Sequence, residues 1–307
     1  MSLAEAPERP PLRYLGGKWK LAPWIIEHLP PHRVYVEPFG GAASVLLRKP
    51  RAFSEVYNDL DDEVVTLFQV MRDEALAARL VAAIIATPFA RAEFEAAFLP
   101  ADDPVERARR LVVRSFMGHG SNASNINRKT GFRANLVNRV AGSLDWANLP
   151  PSLAQVAARF VGVVVERRPA LQVIARYDVP DCLIYADPPY VHETRSSGKR
   201  KGGELYCAYP CEMSDADHEE LLDALRASSA MIVLSGYPNS LYDNALSNWR
   251  RVTIDTYADG ARPRTEALWL NAQACAALDA MHMPLFGTEP TRPASAPAAE
   301  NNERGNK

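Results

Sequence analysis

The 307-residue sequence lacks any apolar run of about eighteen residues, the length that a helix needs to cross a membrane. Its first eleven residues lack the apolar core of a secretory signal, so we expect a soluble cytoplasmic protein. Cysteine is also scarce: the four residues include one close pair, Cys207 and Cys211, without the second pair or nearby histidine of a zinc site. We therefore expect reduced thiols, no bound metal and no membrane association.

Net charge is nearly absent as well, at −2, although 23% of the residues are charged. A polyanion such as nucleic acid would have to be bound by local basic patches, because the field of the whole molecule does not favour it. What the chain has is apolar residues, at 47%, which is enough for a sizeable buried core.

The first sixty residues alternate as an open α/β sheet requires. Helical apolar spacing over residues 19–29 is followed by a short buried strand at 34–36 and a glycine turn. A small-residue helix then runs to about Leu47, and the next strand is Val56-Tyr57. This order predicts a sheet with its ligand at the carboxyl ends of the strands.

The middle of the chain differs in texture from both ends. Residues 62–160 form long amphipathic stretches rich in Ala, Leu and Arg, which predict an inserted helical domain. Parallel-sheet texture resumes in five segments, at 161–165, 182–186, 231–234, 251–256 and 267–270. We therefore expect one sheet domain from residues 1–61 and 161–285, an inserted domain from 62–160, and a disordered tail at 286–307.

The segment Asp187-Pro188-Pro189-Tyr190 directly follows the apolar strand at 182–186, so an acid and an aromatic ring reach the carboxyl edge of the sheet. The prolines fix the backbone and leave carbonyls free to accept hydrogen bonds. An exocyclic amine could give its two hydrogens to the Asp187 carboxylate and the Pro188 carbonyl while its base stacks on Tyr190. These four residues are our catalytic candidates; the alternative is a proline turn capped by Asp187.

Two further motifs suit a ligand with a carboxylate and a ribose. The run from Glu37 to Ala43 stands at a strand-to-helix junction, where small residues allow close backbone approach. Asp59 follows the next strand, where an acid can hold ribose hydroxyls, although a helix cap is the alternative. Lys18, after Gly16-Gly17, could meet a carboxylate, although it could also be a solvated lysine beside a turn.

Together these segments closely resemble the DNA adenine methyltransferase (Dam-like) family. Members carry, in this order, an aromatic segment ending Gly-Gly-Lys, then Glu-Pro-Phe with glycines, Asn-Asp, an inserted target-recognition domain and Asp-Pro-Pro-Tyr. The surroundings of residues 187–195 and Asp217-His218 are similar to the branch common in phages and prophages. The resemblance implies an α/β, Rossmann-like S-adenosylmethionine-dependent methyltransferase domain with an inserted, mostly helical target-recognition domain.

The resemblance also implies roles for particular residues and partners. The implied activity is transfer of a methyl group from S-adenosylmethionine to the N6 amine of an adenine flipped out of double-stranded DNA. Restriction protection, with a cognate endonuclease, is left open; the expected state is a monomer or weak dimer. The cofactor candidates are Tyr14, Gly16, Gly17, Lys18, Glu37, Pro38, Phe39, Gly41, Asp59 and Asp187, and the DNA candidates are Arg13, Asn127, Arg128, Lys129, Arg133, Asn135 and Arg195.

Two positions depart from the family pattern. Ala43 stands where members usually have glycine, which implies slightly more need for room beside the cofactor. Arg168-Pro169 stands where members tend to carry an acid for the cofactor's adenine, and proline cannot replace it. Glu166 is the nearest acid that could substitute.

DNA contact would depend on two arginine-rich stretches. Lys129-Thr130-Gly131 is a candidate hairpin turn within a recognition hairpin, and asparagine and arginine suit the edges of adenine and guanine. A second group, upstream of the hairpin, could neutralise phosphates or could be the solvated face of a helix. That group is Arg107, Arg109, Arg110 and Arg114.

Of four alternative functions, two stay open. Cytosine and glutamine methyltransferases typically carry Ser or Asn at the position of Asp187, which argues against both. An RNA adenine methyltransferase stays open, and labelled methyl transfer to duplex DNA versus folded RNA would separate the two. A catalytically silent DNA-binding module stays open too, and it would bind DNA without binding S-adenosylmethionine.

Overall fold

The computed structural model describes residues 6–120, 125–126, 129–134, 142–191, 211–258 and 262–282. Within them the strands are β1 (Val34–Glu37), β2 (Ser54–Asn58), β3 (Val164–Glu166), β4 (Cys182–Ala186), β5 (Met231–Gly236), β6 (Arg250–Ala258) and β7 (Arg262–Leu270). The helices are α1 (Ala22–Glu27), α2 (Ser44–Arg48), α3 (Asp62–Arg72), α4 (Glu74–Ala86), α5 (Arg91–Ala96), α6 (Pro104–Met117), α7 (Gly142–Ala147), α8 (Leu149–Phe160), α9 (Ala170–Arg176), α10 (Asp215–Ala227), α11 (Ser240–Ala245) and α12 (Ala272–His282). No helix in these ranges is long and apolar enough to span a membrane.

The seven strands form one sheet in the order β3-β2-β1-β4-β5-β7-β6. The first five run parallel, so the carboxyl ends of β1, β2 and β4 meet at one edge. This confirms the Rossmann-like fold. The prediction of parallel texture for the last two strands is wrong, because β7 runs antiparallel to both β5 and β6. Only three residues connect β6 to β7, and a parallel crossover needs a dozen or more.

The first predicted helix is shorter than its apolar pattern. The spacing suggested residues 19–29, whereas α1 begins with a proline in its first turn and ends at Glu27. Pro30 disfavours helical geometry in the residue before it, so the helix ends early. The helix also begins later than the spacing suggested, at Ala22, so Gly16, Gly17 and Lys18 lie in the loop that precedes it.

Helices α3 to α8 occupy the middle of the chain, and they share one apolar core with the sheet. Phe68 of α3 stacks on Phe160 of α8 with ring centroids 4.4 Å apart, and the ring of Tyr57 on β2 lies 4.6 Å from that of Phe68. Among the described residues of this stretch, strand pairing is limited to one bridge between Gly118 and Phe132. The helices are thereby held in a fixed position beside the carboxyl edge of β2.

A buried ion network also fixes α8 to the sheet. Glu55 on β2 accepts hydrogen bonds from Lys49 (2.8 Å) and Arg159 (2.6 Å), and all three side chains are almost fully buried. Burial works to raise the pKa of Glu55, but Arg159 and Lys49 hold it below its ordinary value. Arg159 also donates to the carbonyl of Leu46, so one side chain joins α8, β2 and α2.

Candidate active site

Strand β4 delivers the segment Asp187 to Tyr190 into a cleft at the carboxyl edge of the sheet. All five residues of β4 are buried, which fixes the direction in which the chain leaves the sheet. The cleft has a volume of about 950 Å³, counting the part open to solvent. The prediction that ligands lie at this edge therefore has a matching cavity.

Every catalytic and cofactor candidate that was named from the sequence lines this cleft. The chain brings them together from four separate segments, which lie before α1, after β1, after β2 and after β4. The lining candidates are Tyr14, Gly16, Gly17, Lys18, Glu37, Pro38, Phe39, Gly41, Asp59, Asp187, Pro188, Pro189 and Tyr190.

Lys18 contacts the two key residues of the segment after β4. Its ammonium lies 2.9 Å from the Asp187 Oδ1 and donates to the hydroxyl of Tyr190. The Tyr190 hydroxyl in turn donates to the Glu266 Oε2 on β7, at 3.1 Å. Lys18, Tyr190 and Glu266 are all buried, and the exposed fraction of Lys18 is only 4%. The lysine is therefore a member of the site, and the alternative of a solvated lysine is excluded.

The charges in this corner shift one another's protonation. Burial raises the pKa of Asp187 to about 6, although the neighbouring Lys18 ammonium works in the opposite direction. Burial works to lower the pKa of Lys18, but Asp187 and Glu266 outweigh it and raise that pKa above its ordinary value. Above about pH 6 the site therefore holds an ionised carboxylate beside a permanent cation.

The turn after β1 requires glycine because aromatic rings lie very close to its backbone. A Cβ placed on Gly40 would lie 2.2 Å from the ring of Tyr57, so only glycine fits there. Gly41 has a φ of +48°, and a Cβ on it would meet the ring of Tyr14 at 3.0 Å. The hydroxyl of Tyr57 donates to the Gly41 carbonyl at 2.7 Å, which fixes the turn from below. The turn thus presents its backbone to the cleft.

Ala43 ends this turn in the left-handed conformation, with a φ of 53°, immediately before α2. A left-handed backbone favours glycine because it brings Cβ close to a carbonyl oxygen. The departure from the family's glycine therefore concerns backbone conformation in the first place. The alanine side chain is fully buried in the core.

Glu37 faces the cleft, but its carboxylate is already engaged. Its Oε1 accepts from the hydroxyl of Tyr35 at 2.7 Å and from the backbone amide of Leu46 in α2 at 2.8 Å. Burial raises the pKa of Glu37 to about 7, and these two hydrogen bonds work against the rise. The geometry assigns Glu37 at least a supporting role, because it ties β1 to α2 around the glycine turn.

Asp59 joins the glycine turn to the start of α3. Its two carboxylate oxygens accept from the backbone amides of Gly41 (2.8 Å) and Asp61 (2.9 Å). The residue that caps α3 is Asp61, which accepts from the amide of Glu63, so the alternative of a helix cap does not hold for Asp59. Each Asp59 oxygen keeps a second lone pair that can accept from a ligand.

The loop after β3 does not bring an acid to the cleft. Glu166 pairs with Arg168 at 3.1 Å and is absent from the residues that line the cavity. Asn58 accepts from the Arg168 amide at 2.9 Å and donates to the carbonyl of Pro38, which ties the ends of β1, β2 and β3 together. Ala170 is the nearest residue of this loop that reaches the cleft. The suggestion that Glu166 substitutes for the missing acid is therefore not supported by the geometry.

Three of the seven DNA candidates lie among the described residues. Arg13 is anchored by its backbone, since its amide donates to the Ser115 hydroxyl on α6 at 2.7 Å. Lys129 is exposed and its ammonium lies 5.8 Å from the ring centroid of Phe98. Arg133 donates to Asp145 on α7 at 2.9 Å. The other four, which are Asn127, Arg128, Asn135 and Arg195, lie outside the described residues.

The backbone pairing places the predicted hairpin turn elsewhere. Gly118 bridges Phe132 in antiparallel fashion, the amide of His119 donates to the Gly131 carbonyl, and the amide of Arg133 donates to Met117. In this register Gly131 lies across from His119, and Arg133 lies across from Met117. Lys129-Thr130-Gly131 thus lies on the returning segment, and its assignment as the turn is wrong.

The second arginine group is largely engaged in ion pairs within the helices. Arg114 is fully buried and pairs with Glu63 of α3, and Arg107 pairs with Glu63 as well. Arg109 and Arg110 both pair with Glu106 of their own helix. These arginines stabilise the packing of α6, and because Arg114 is fully buried the group is not simply the solvated face of a helix.

Sequence reasoning did not identify Glu266 or assign a role to Tyr237, and both lie beside Tyr190. The ring of Tyr237, just after β5, lies with its centroid 4.3 Å from that of Tyr190. Glu266 comes from β7, 76 residues further along the chain than Tyr190. One signal was available: Glu266 is a lone carboxylate directly before the apolar run at residues 267–270.

Among the described residues, no group of three or more His, Cys, Asp or Glu could hold a metal.

The fold and the cleft together define a Rossmann-like α/β transferase site, in which a rigid acid faces a glycine turn. The model of the D12 class N6 adenine-specific DNA methyltransferase family matches residues 14–208, well over half of the chain. The chain belongs to this family: it is a site-specific adenine-N6 DNA methyltransferase that takes its methyl group from S-adenosylmethionine. No curated protein matches it.

Proposed function

We propose that Asp187, the Pro188 carbonyl and Tyr190 hold the target adenine in this enzyme, with Pro189 keeping the segment rigid. One observation carries the proposal: the Asp187 carboxylate already faces a nitrogen cation in the cleft, with its Oδ1 2.9 Å from the Lys18 ammonium. A corner that accommodates one N–H group beside a carboxylate and a tyrosine suits an amine that donates in the same way.

The chemistry asks little of these residues beyond alignment. S-adenosylmethionine supplies a methyl group on a reactive sulfonium. Asp187 and the Pro188 carbonyl accept the two amine hydrogens, which directs the nitrogen lone pair towards the other side of the cleft. A buried site excludes water and strengthens these contacts. Extrusion of the adenine from the duplex costs a few kcal/mol, which stacking on Tyr190 and phosphate contacts offset.

We propose that the segment ending Gly16-Gly17-Lys18, the run from Glu37 to Ala43, and Asp59 together hold the cofactor. The backbone of Gly40 and Gly41 lines the cleft and carries no side chain that would stand in the way of a ligand. Asp59 retains acceptor capacity for ribose hydroxyls, and the buried Lys18 ammonium donates to the Gly16 carbonyl at 3.2 Å, beside the first glycine turn. The remaining cofactor candidates line the same cavity; they are Tyr14, Gly16, Gly17, Glu37, Pro38, Phe39 and Asp187.

We also propose that residues 62–160 act as the target-recognition part of the enzyme, with Arg133 reading the DNA and Lys129 and Arg13 contacting it. The position of the Arg133 guanidinium beside Asp145 supports this, because a carboxylate can orient an arginine towards a base edge. Arg133→Ala should relax or weaken site choice. Sequencing of methylated adenines in DNA from expressing cells measures this, and an unchanged set of sites would reject the assignment.

The decisive test of the adenine assignment is Asp187→Ala. The change should abolish methyl transfer to unmethylated duplex DNA while leaving S-adenosylmethionine binding largely intact. Asp181→Asn is the matched control, since Asp181 is exposed and lies six residues earlier. Normal turnover in Asp187→Ala would remove this carboxylate from the mechanism. Parallel assays on folded RNA check that DNA is the preferred substrate.

Three finer properties are also proposed, concerning the type of enzyme, its working unit and a partner endonuclease. The segment around residues 187–195 and Asp217-His218 supports a phage or prophage type of enzyme acting in the bacterial cytoplasm. A monomer or weak dimer is the proposed working unit, and sedimentation measures this directly. A cognate restriction endonuclease would be tested by asking whether DNA from expressing cells resists cleavage at the methylated site.

A further inference from the structure

Glu266 is a buried carboxylate that the roles above do not use. It lies on β7, opposite Ile254 of β6, and only 6% of its surface is exposed. It directly precedes the part of β7 that pairs with β5, since Ala267 is the first residue of β7 in that pairing and residues 262–266 pair with β6 alone. Its side chain therefore comes from the antiparallel hairpin β6-β7 and contacts Tyr190, which lines the cleft.

The hydrogen bonds around Tyr190 have a fixed direction. The ammonium of Lys18 has only donors, so the oxygen of the Tyr190 hydroxyl accepts from it. The hydroxyl hydrogen must then point to the Glu266 Oε2, which lies 3.1 Å away and has no hydrogen of its own when ionised. Tyr237 packs against the same ring. The hydroxyl and the ring plane of Tyr190 are thus held by separate neighbours.

We propose that Glu266 is a positioning residue for the methyl transfer: it fixes the hydroxyl of Tyr190, and through it the ring against which the target adenine stacks. This inference rests on the proposed role of Tyr190. It assigns part of the adenine pocket to the β6-β7 hairpin, which lies outside the segment matched by the family model. Glu266 itself need not touch the adenine.

Glu266 also acts on the charges across the cleft. Three ionisable groups face Glu266: Lys18 before α1, Tyr190 after β4 and Tyr237 after β5. Arg264 lies two residues before Glu266 on β7, and its guanidinium is 5.1 Å from the centroid of the Tyr237 ring. Burial is the main cause that raises the pKa of Asp187, and the negative charge of Glu266 raises it further. Removal of that charge should therefore lower the pKa of Asp187.

The test is a double-mutant cycle of Glu266→Gln and Tyr190→Phe, with labelled S-adenosylmethionine and unmethylated plasmid DNA. Glu266→Gln keeps the shape of the side chain and one acceptor oxygen but removes the charge, and we expect kcat to fall by up to about tenfold, the difference between a hydrogen bond to a charged group and one to a neutral group. In the Tyr190→Phe background the same change should cost less than about twofold, because the shared hydrogen bond is already gone. Equal losses in both backgrounds would overturn the proposal.

A matched control is available on the same hairpin. Asp255 pairs in register with Thr265 and accepts from its hydroxyl, so it lies on the face opposite Glu266. Asp255→Asn removes the same charge from the same hairpin, and we expect no change in kcat. A loss equal to that of Glu266→Gln would mean that the hairpin's stability, and not the Tyr190 contact, is what matters.

Two further readouts cover a variant that does not fold. Glu266→Asp keeps the charge but withdraws the carboxylate by one methylene, so it should lose the coupling to Tyr190 and keep the acid limb of kcat/KM at the wild-type pH. Glu266→Gln should move that limb to lower pH. If Glu266→Asp retains full coupling and full kcat, the proposed contact is refuted.

The failure of this inference can be distinguished from the failure of the proposed function. If only this inference fails, Asp187→Ala is still inactive, whereas an active Asp187→Ala means that the proposed function fails.

Discussion

Replacement of Lys18 by methionine should move the acid limb of the methylation rate to higher pH. Asp187 must be ionised to accept a hydrogen from the adenine amine, and its pKa of about 6 is raised by burial and held down by Lys18. Methionine fills a similar volume without the charge. The folded enzyme should then hold the proton on Asp187 at pH values where the wild type has released it.

The magnitude follows from the separation of the two groups. An opposite charge within about 4–6 Å lowers a carboxyl pKa by roughly 1–3 units, and the Lys18 ammonium lies 2.9 Å from the Asp187 Oδ1. Because Tyr190 also accepts from this ammonium and the charge of Glu266 also acts on it, we expect a shift near the lower end, about 1–2 units. The acid limb should move from about pH 6 into the range in which the wild type is fully active.

The assay is kcat against pH at saturating S-adenosylmethionine, so that a weaker cofactor affinity does not enter the result. Lys20→Met is the control, because Lys20 is exposed, two residues away, and loses the same charge. An acid limb at the same pH in Lys18→Met and in the wild type would refute the electrostatic coupling between Lys18 and Asp187.

Three other changes test the frame around the site. Glu37→Gln keeps an oxygen that can accept both internal hydrogen bonds. Because the pKa of Glu37 in the folded protein is about 7 and its ordinary value is 4.5, the free energy of unfolding of the wild type falls as the pH rises from 4.5 to 7. The variant should not show this loss of about 3 kcal/mol, as measured by chemical denaturation at pH 8. Glu55→Gln should lower the free energy of unfolding by about 3–5 kcal/mol because it leaves two buried cations, Lys49 and Arg159, without their carboxylate. The control Asp243→Asn breaks an exposed ion pair and should lower it by less than about 1 kcal/mol. Equal urea midpoints for the two variants would contradict this. Gly40→Ala should displace Tyr57 and weaken S-adenosylmethionine binding by about tenfold or more in calorimetry, and unchanged affinity would show that the turn can yield.

The sequence was sufficient for the parts of the site that local rules determine. The strand at 182–186 was predicted with its true bounds, because an unbroken apolar run before Asp-Pro-Pro-Tyr allows one interpretation. The catalytic and cofactor candidates share one cleft because parallel strands bring their carboxyl ends to one edge. Residues far apart in the chain could therefore be grouped without knowledge of the packing.

Contacts that depend on packing between distant elements were not accessible. The contact between Lys18 and Tyr190 spans 172 residues, and no periodicity indicates which acid or hydroxyl a lysine will meet. The direction of β7 was missed because its apolar residues look the same in a parallel and an antiparallel strand. The hairpin turn was misplaced because a glycine suggests a turn, whereas the pairing of Gly118 with Phe132 fixes the register.

The left-handed alanine at position 43 bears on how much this turn can vary. A non-glycine residue in that conformation is disfavoured by about 1–2 kcal/mol, while its buried methyl group gains about 0.8 kcal/mol and alanine orders at a smaller entropy loss than glycine. These opposing contributions nearly cancel, so either residue gives a turn of similar stability. A sequence pattern that demands glycine at this step would pass over enzymes with an equally well formed cofactor turn.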